Sequence, residues 1–478
     1  MSGGERLIGR TLMDVKGKRV LVVGLGKSGV ASALFLTERG ARIAVSDAKS
    51  PDQLREEIPV LLDHGISVET GQHSERTFRD QDLIVVSPGV AFDVPQLVQA
   101  RARGIPVIGE VELAARFLKG QIVAITGSNG KTTTTTLAGE ILSAGGRKTL
   151  VGGNIGTPAI SLIDQSTEDT WVVLEISSFQ LETVETFHPH IAVVLNITPD
   201  HLDRHHTFEN YAAAKARIFE NQTAEDFAVL NADNEACADA AAKAKPPARW
   251  FSRLDEVGSG AFLRAGQIIW RDEKGECEIM PLSEISLKGA HNVENVLAAV
   301  CVGMLAGVEP AQIHSAVAAF KAVEHRLEYV ATVRGVEYYN DSKATNVDAT
   351  IKALESFPGG IHLILGGKDK GSDYSVLNAL LKERVKRVYT IGSAAAKIET
   401  QAAGTEIVSV ETLEAAVRRA SEAAAAGDTV LLAPACASFD QFESYEHRGR
   451  AFKDLVRQLA ARKQERGSVE SGAPGGNS

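Results

Sequence analysis

Gln121–Leu137, QIVAITGSNGKTTTTTL, is the stretch whose reading decides the fold. The run from Ile122 to Thr126 is apolar and rich in β-branched residues, which predicts a buried strand. Gly127 ends it, and Gly130-Lys131-Thr132-Thr133 opens a threonine-rich segment that predicts a helix. A glycine turn between a buried strand and a helix start leaves backbone N–H groups without intrahelical partners, at the positive end of the helix dipole. Gly127, Ser128, Asn129 and Gly130 therefore predict a phosphate cradle. Lys131 would reach the outer phosphates and the Thr132 hydroxyl would take Mg²⁺. The spacing departs from GxxxxGK[ST], because Ala124 or Ile125 stands where the first glycine is due.

Upstream, residues 18–47 read as strand, glycine turn, helix and strand. Gly24-Leu25-Gly26-Lys27-Ser28-Gly29 with Asp47 beyond it is G-x-G-x-x-G plus an acid, the dinucleotide fingerprint. Taken alone it says an NAD enzyme. Chemically it is a helix N-terminus facing a diphosphate, so any nucleotide diphosphate would satisfy it. Further apolar runs follow (ISVET, DLIVVSPGV, IPVIGEVELA), and Ser87-Pro88-Gly89 ends one at the edge where such sheets bind ligands.

Downstream, WVVLEIS (171–177), HIAVVLNIT (190–198) and FAVLN (227–231) predict more strands of a parallel sheet covered on both faces. RWFSR, GAFLRAGQIIWRD and GECEIM in residues 248–288 predict short antiparallel strands. A third block from about Val323 begins with the hairpin-like LEYVATVRGVEYYND and continues through IHLILGG, RVKRVYTIG and DTVLLAPA. The tail from Gly467, GSVESGAPGGNS, is expected to be disordered. Hinges are expected near 109–113 and 321–324, where the blocks change.

Several polar residues sit at predicted strand ends. Glu175 ends a buried strand, where an acid next to a phosphate loop commonly serves Mg²⁺. Asp200-His201-Leu202-Asp203-Arg204-His205-His206 crowds ligands into one loop, but in no zinc spacing. Carboxylates beside a phosphate loop favour Mg²⁺, with His201 as an additional ligand and His205 and His206 exposed. Lys215, in YAAAKAR, reads from its helix as a solvated lysine. Asn340–Asn346 (NDSKATN), Gly366–Gly371 and Ala435–Asp440 fall at the rim of the third block, where glycine turns with lysines suit a small anion.

Composition bounds the rest. At 478 residues the chain is too long for one domain, and a net charge of −10 argues against a nucleic-acid or anionic-membrane partner. The scattered Cys237, Cys277, Cys301 and Cys436 form no metal or disulfide pattern. With no apolar run of membrane length and no signal-peptide core, a cytoplasmic protein is expected.

Taken in order, TGSNGKTTT, GGNIG (152–156), LEISSFQLE (174–182), NITPDHLDRH (196–205), YAAAKARIF (211–219), HNVEN (291–295) and HRLE (325–328) closely resemble the Mur ligase family. These are the ATP-dependent enzymes that build the peptide of bacterial cell-wall precursors. NDSKATN, SSFQLE and PACASFDQF resemble the D-glutamate-adding members. The resemblance implies three tandem α/β domains: a Rossmann-like substrate domain (1–111), a central P-loop ATPase domain built on a parallel sheet (112–322) and a Rossmann-like amino-acid domain (323–466). It implies that Gly26, Lys27, Ser28 and Asp47, with Ser87 and Gly89 nearby, line a UDP site, and that Asn154, Ser177, Gln180 and His201 hold the muramoyl-alanine arm. Ala48 departs from the hydroxyl expected after Asp47. Thr132 and Glu175 would bind one Mg²⁺, and Glu175, His201 and a carbamylated Lys215 a second. Asn292 and Asn295 would read adenine, Asp341 the ribose, and Arg326 and Lys343 the phosphate side, next to residues 127–133. Thr345, Lys370, Ser438, Phe439 and Tyr445 would form the D-glutamate pocket, with leucine expected at 439 and phenylalanine at 445. The implied partners are small molecules (ATP, D-glutamate and UDP-MurNAc-L-Ala) and the implied state is a monomer.

Overall fold

A computed structural model describes residues 13–321 and 323–470. They fall into two compact units. The first comprises the chain to Pro199 with residues 204–284 and 294–318; the second comprises Asp200–Asp203, Ile285–Val293 and the chain from Ala319.

The first unit holds two sheets. One has β1 (Arg19–Val23), β2 (Arg42–Asp47), β3 (Ser67–Thr70), β4 (Leu83–Val86) and β5 (Val107–Gly109), all parallel, in the order β3-β2-β1-β4-β5. Val20–Val23 and Ile84 are fully or almost fully buried, as strands covered on both faces require. The glycine turn after β1 is forced by contact: a Cβ on Gly29 would lie 1.9 Å from the Gly24 carbonyl oxygen, so only glycine lets the helix Lys27–Glu38 pack there.

The other sheet has nine strands: β6 (Gln121–Thr126), β7 (Thr149–Gly153), β8 (Trp171–Glu175), β9 (Ile191–Val194), β10 (Phe227–Asn231), β11 (Ala248–Ser252), β12 (Gly260–Arg264), β13 (Gln267–Asp272) and β14 (Gly275–Pro281). Their order is β14-β13-β12-β11-β10-β9-β6-β8-β7. The strand β6, which precedes the expected phosphate loop, thus lies between β9 and β8, so the loops following all three share one edge. The expectation of antiparallel pairing over residues 248–288 holds only for β12–β14. β11 runs parallel to β10, because the helix Glu235–Ala241 crosses over between them.

One apolar core runs through both sheets and includes Val111, Leu113 and Ala114 of the helix Glu110–Ala115. The expected hinge at 109–113 is therefore fully buried. Its Glu112 carboxylate accepts the backbone N–H groups of Glu185, Thr186 and Phe187. Glu110 accepts that of Ile160.

The second unit is built on β15 (Glu328–Val333), β16 (Val336–Asn340), β17 (Ile361–Gly366), β18 (Val385–Ile391), β19 (Glu406–Glu411) and β20 (Thr429–Leu432). The order is β15-β16-β20-β17-β18-β19, parallel except for the β15–β16 hairpin at one edge. The final helix, Tyr445–Glu470, continues past Gly467 into the stretch expected to be disordered. The run Ala461–Arg466 before it is rich in helix formers, which carry the helix on. Residues 471–478 of that tail, and residue 322 of the second expected hinge, lie outside the described residues. Among the described residues no helix is long and apolar enough to cross a membrane.

Candidate active site

At the edge shared by β6, β8 and β9, the helix Lys131–Ala144 starts directly after the glycine turn. Gly130 has φ +86°, and a Cβ there would meet Asn295 Oδ1 at 2.1 Å. Asn295 thus closes on the turn from the helix Ala290–Leu305 and also accepts the Thr134 hydroxyl at 3.3 Å. Asn196, after β9, holds the turn reciprocally: its Oδ1 accepts the Asn129 N–H at 2.9 Å and its Nδ2 donates to the Asn129 carbonyl at 3.1 Å. Ser128 Oγ donates to the Thr198 carbonyl at 2.9 Å. These bonds fix the turn from both sides.

Thr132 donates its hydroxyl to Glu175 Oε2 at 2.7 Å, and Asn154 Nδ2 donates to Oε1 at 3.0 Å. Glu175 is 2% exposed at the end of β8. A hydroxyl and a carboxylate, both hard oxygen donors, side by side at a phosphate loop fit Mg²⁺. Thr133 is buried in the first turn. Lys131 Nζ folds back on its own loop and donates to the carbonyls of Gly127 and Ser128 at 2.8 and 2.9 Å.

Lys215 is the clearest departure from the reading of its helix as solvated. It is 1% exposed and donates to the Gly127 carbonyl at 2.8 Å, with Nζ 4.6 Å from the centre of the Tyr211 ring. The helix Phe208–Ala216 packs this side against the sheet, so a lysine among alanines points inward. His205, expected to be exposed, is buried as well, between Ser178 Oγ at 3.0 Å and Glu182 Oε1 at 3.2 Å. His206 is exposed.

Around the first sheet, Asp47 Oδ2 accepts the Leu25 N–H at 2.6 Å and Oδ1 the Lys49 N–H at 2.8 Å. Its carboxylate therefore fixes the glycine turn. Ser87 Oγ donates to the Gly24 carbonyl at 2.7 Å. Gly26 and Lys27 at the helix start, Ala48 and Gly89 are exposed, and Ser28 is half-buried. Ser177 and Gln180 form a capping box for the short helix Ser178–Leu181.

In the second unit, Arg326 sits between two left-handed residues, His325 (φ +66°) and Leu327 (φ +41°). Asp341 Oδ1 accepts the Leu327 N–H at 3.3 Å. Burial pushes the Asp341 carboxyl up to about 7 against the pull of Arg326. Asn292 donates to the Lys288 carbonyl at 2.6 Å. Lys343 Nζ lies 3.7 Å from the centre of the Tyr445 ring. Ser438 is buried, Thr345 half-buried, and Phe439 68% exposed. His201 has φ +53°, and its N–H is accepted by Asp200 Oδ1 at 3.0 Å. Asp200 also lies 3.7 Å from Lys370 Nζ.

Sequence reasoning missed Arg448. It is fully buried and donates to Ser342 Oγ at 2.9 Å, to the Ser342 carbonyl at 2.8 Å and to the Cys436 carbonyl at 3.2 Å, joining two of the polar loops. Nothing in YEHRGR separates it from the exposed arginines of the same helix. Among the described residues, Glu324, His325 and Glu328 are the one group whose ligand atoms converge closely enough for an ion. Lys453 already bridges both of its carboxylates.

Three family models match the chain: Mur ligase MurD-like, N-terminal domain over residues 18–109; Mur ligase middle domain over 125–303; and Mur ligase, glutamate ligase domain over 325–436. A relative from Koribacter versatilis named UDP-N-acetylmuramoylalanine–D-glutamate ligase is 70% identical over 453 residues, 95% of this chain and 100% of its own. One of the same name from Acidobacterium capsulatum is 62% identical over 93% of this chain and 97% of its own. In fold, the chain is similar to a pseudomurein peptide ligase type C from Methanothermus fervidus, with a TM-score of 0.60 at 18% identity over 93% of this chain and 100% of that one. With three domains of one family in order and near-complete matches to such relatives, the chain belongs to the Mur ligase family, in the branch whose relatives bear the name UDP-N-acetylmuramoylalanine–D-glutamate ligase.

Proposed function

We propose that the protein joins D-glutamate to UDP-N-acetylmuramoyl-L-alanine, converting ATP to ADP and phosphate, as a cytoplasmic step in peptidoglycan precursor synthesis. The observation that carries this is the phosphate loop with Lys131 inside it and the Thr132–Glu175 pair at its mouth, in a chain whose relatives bear that ligase's name. The domains would divide at 111 and 322, each binding one reactant, and the enzyme would act as a monomer.

Two negatively charged substrates must meet beside ATP, so the catalytic need is cationic and geometric. The loop 127–133 would hold the phosphates, through Lys131 and the N–H groups that open the helix Lys131–Ala144. Lys343 and Arg326 would offset charge on the transferring group. Asn292 and Asn295 would read adenine, and Asp341 the ribose. Mg²⁺, held by Thr132 and Glu175 with a second site at Glu175, His201 and Lys215, would neutralise phosphate charge and leave phosphorus open to attack. The alanyl carboxylate then displaces ADP from the γ-phosphorus, giving an acyl phosphate. D-Glutamate, seated by Thr345, Lys370, Ser438, Tyr445 and the Phe439 backbone, gives up one ammonium proton to solvent, and its free amine attacks that carbonyl; phosphate leaves with the nitrogen's second proton and an amide remains.

Lys215 would serve as its carbamate, formed from the neutral amine and CO₂ with loss of one proton. A buried ammonium so close to the metal residues would repel the ion, whereas a carbamate supplies oxygens of the opposite charge.

The deciding experiment measures phosphate release with ATP, UDP-MurNAc-L-Ala and D-glutamate. Release is expected only with all three present. Equal release when L-alanine or diaminopimelate replaces D-glutamate would move the chain to another branch of the family.

A further inference from the structure

D-Glutamate carries two carboxylates and one ammonium. The residues expected to receive it supply hydroxyls, a backbone N–H and the Lys370 cation, all suited to carboxylates. None of them carries a negative charge for the ammonium. The second unit places one there.

Asp200 Oδ1 lies 3.7 Å from Lys370 Nζ, too far for a hydrogen bond and close enough for an ion pair. The two side chains are 11% and 21% exposed, so the pair is only lightly screened by solvent. The carboxylate does not depend on Lys370 for its position. Oδ1 accepts the His201 N–H at 3.0 Å, and Oδ2 accepts Asn346 Nδ2 at 3.1 Å. Asn346 is itself fixed, because its Oδ1 caps the helix Val347–Glu355 through the Ala349 N–H at 2.8 Å. Thr345 is the neighbouring residue. A preorganised anion thus stands beside the cation expected to hold the amino acid.

We propose that Asp200 reads the α-ammonium of the incoming amino acid. A zwitterion inserts into the loose Asp200–Lys370 pair, placing a carboxylate on Lys370 and its ammonium on Asp200. Charge stays balanced throughout, and no buried charge loses its partner. A dicarboxylate without the amine meets Asp200 as a like charge, and must still separate Lys370 from it. The same residue therefore favours an amino acid over glutarate, by attraction to one and repulsion of the other. This rests on D-glutamate being the acceptor, as proposed above.

The test compares wild-type enzyme with Asp200→Asn, using D-glutamate as substrate and glutarate as its competitor. The KM for D-glutamate is expected to rise about 10- to 100-fold, as for loss of a charge-assisted contact. The KM values for ATP and UDP-MurNAc-L-Ala should stay within about threefold. The inhibition constant of glutarate should be unchanged or lower. Asp200→Glu, which keeps the charge, should bind D-glutamate better than Asp200→Ser, and this pair gives the same readout if the Asn variant does not fold. Equal weakening of D-glutamate and glutarate would make Asp200 a structural residue and overturn the proposal. No change in either would overturn it too. A wild-type enzyme indifferent to D-glutamate would instead remove the proposed function on which it rests.

Discussion

Lys215 is where the sequence and the structure diverge most at the scale of one residue. YAAAKAR has the composition of a solvated helix, and nothing in its spacing says which way the lysine points. Burial is decided by how the helix Phe208–Ala216 seats on the sheet, a tertiary fact. The ammonium ends on the Gly127 carbonyl, at the phosphate loop itself. If it acts as a carbamate, Lys215→Ala should lower ligase activity by about 100-fold or more, since an anion beside the metal site is lost. Millimolar acetate or formate should restore part of it by placing a carboxylate in the vacated space. A fully active Lys215→Ala enzyme, or a dead one that no short carboxylate revives at any concentration, would count against the carbamate. Gly127–Lys131 could be read as an expected phosphate loop for the opposite reason: a glycine turn between a strand and a helix start is written in the sequence itself, whereas that Asn196 takes the Ser128 and Asn129 N–H groups is decided by the fold. Arg448 was not legible, because only the fold decides which arginine of its helix turns inward.

Among the elements, the strands with continuous apolar runs were readable and two half-buried ones were not. β7 and β19 lie at sheet edges, where one side meets solvent and the pattern is diluted. The helix Glu110–Ala115 was read only as part of a hinge, yet it carries two buried carboxylates of opposite electrostatic character. Burial pushes the Glu110 carboxyl up to about 7, and its Oε2 has no hydrogen-bond partner. Between the ordinary value of 4.5 and about 7 the folded chain holds a proton that the unfolded chain has lost, so stability falls as pH rises through that window. The loss is on the order of 3 kcal/mol. Glu110→Gln should remove this residue's share of the slope, so that the fall in stability between pH 5 and pH 8, measured by chemical denaturation, is smaller than in the wild type by on the order of 3 kcal/mol, while the share of Asp341 remains. Glu112 is the reverse case. Burial opposes its charge, but hydrogen bonds from Thr186, Glu185 and Arg116 outweigh that, and its carboxyl is held below the ordinary value. Its contribution is present above 4.5 and lost as pH falls through the lowered folded value. Glu112→Gln should therefore destabilise the protein at pH 7, by about 2–4 kcal/mol. If both variants moved stability in the same direction at pH 8, the assignment of opposite characters to the pair would be wrong.

Across the whole molecule, the three-sheet order could be read from the chain because each block repeats the same strand, glycine turn and helix grammar. The proposed function puts one reactant on each block, and that division has a kinetic consequence. If the phosphate loop activates the alanyl carboxylate without help from the amino acid, activation and capture are separable steps. A small nucleophile such as hydroxylamine should then intercept the acyl phosphate in the absence of D-glutamate. The expected product is the hydroxamate of UDP-MurNAc-L-Ala, formed together with ADP and phosphate and detected by mass. Lys370→Met should abolish capture of D-glutamate at ordinary concentrations while hydroxamate still forms, because hydroxylamine has no carboxylate for Lys370 to bind. Lys131→Met should abolish both, because the outer phosphates lose their cation at the first step. Were Lys370→Met to lose hydroxamate formation in proportion to ligation, the block that carries Lys370 would be needed for activation itself. Phosphoryl transfer would then belong to the closed enzyme with all three reactants bound, not to the phosphate loop and the nucleotide-linked substrate alone.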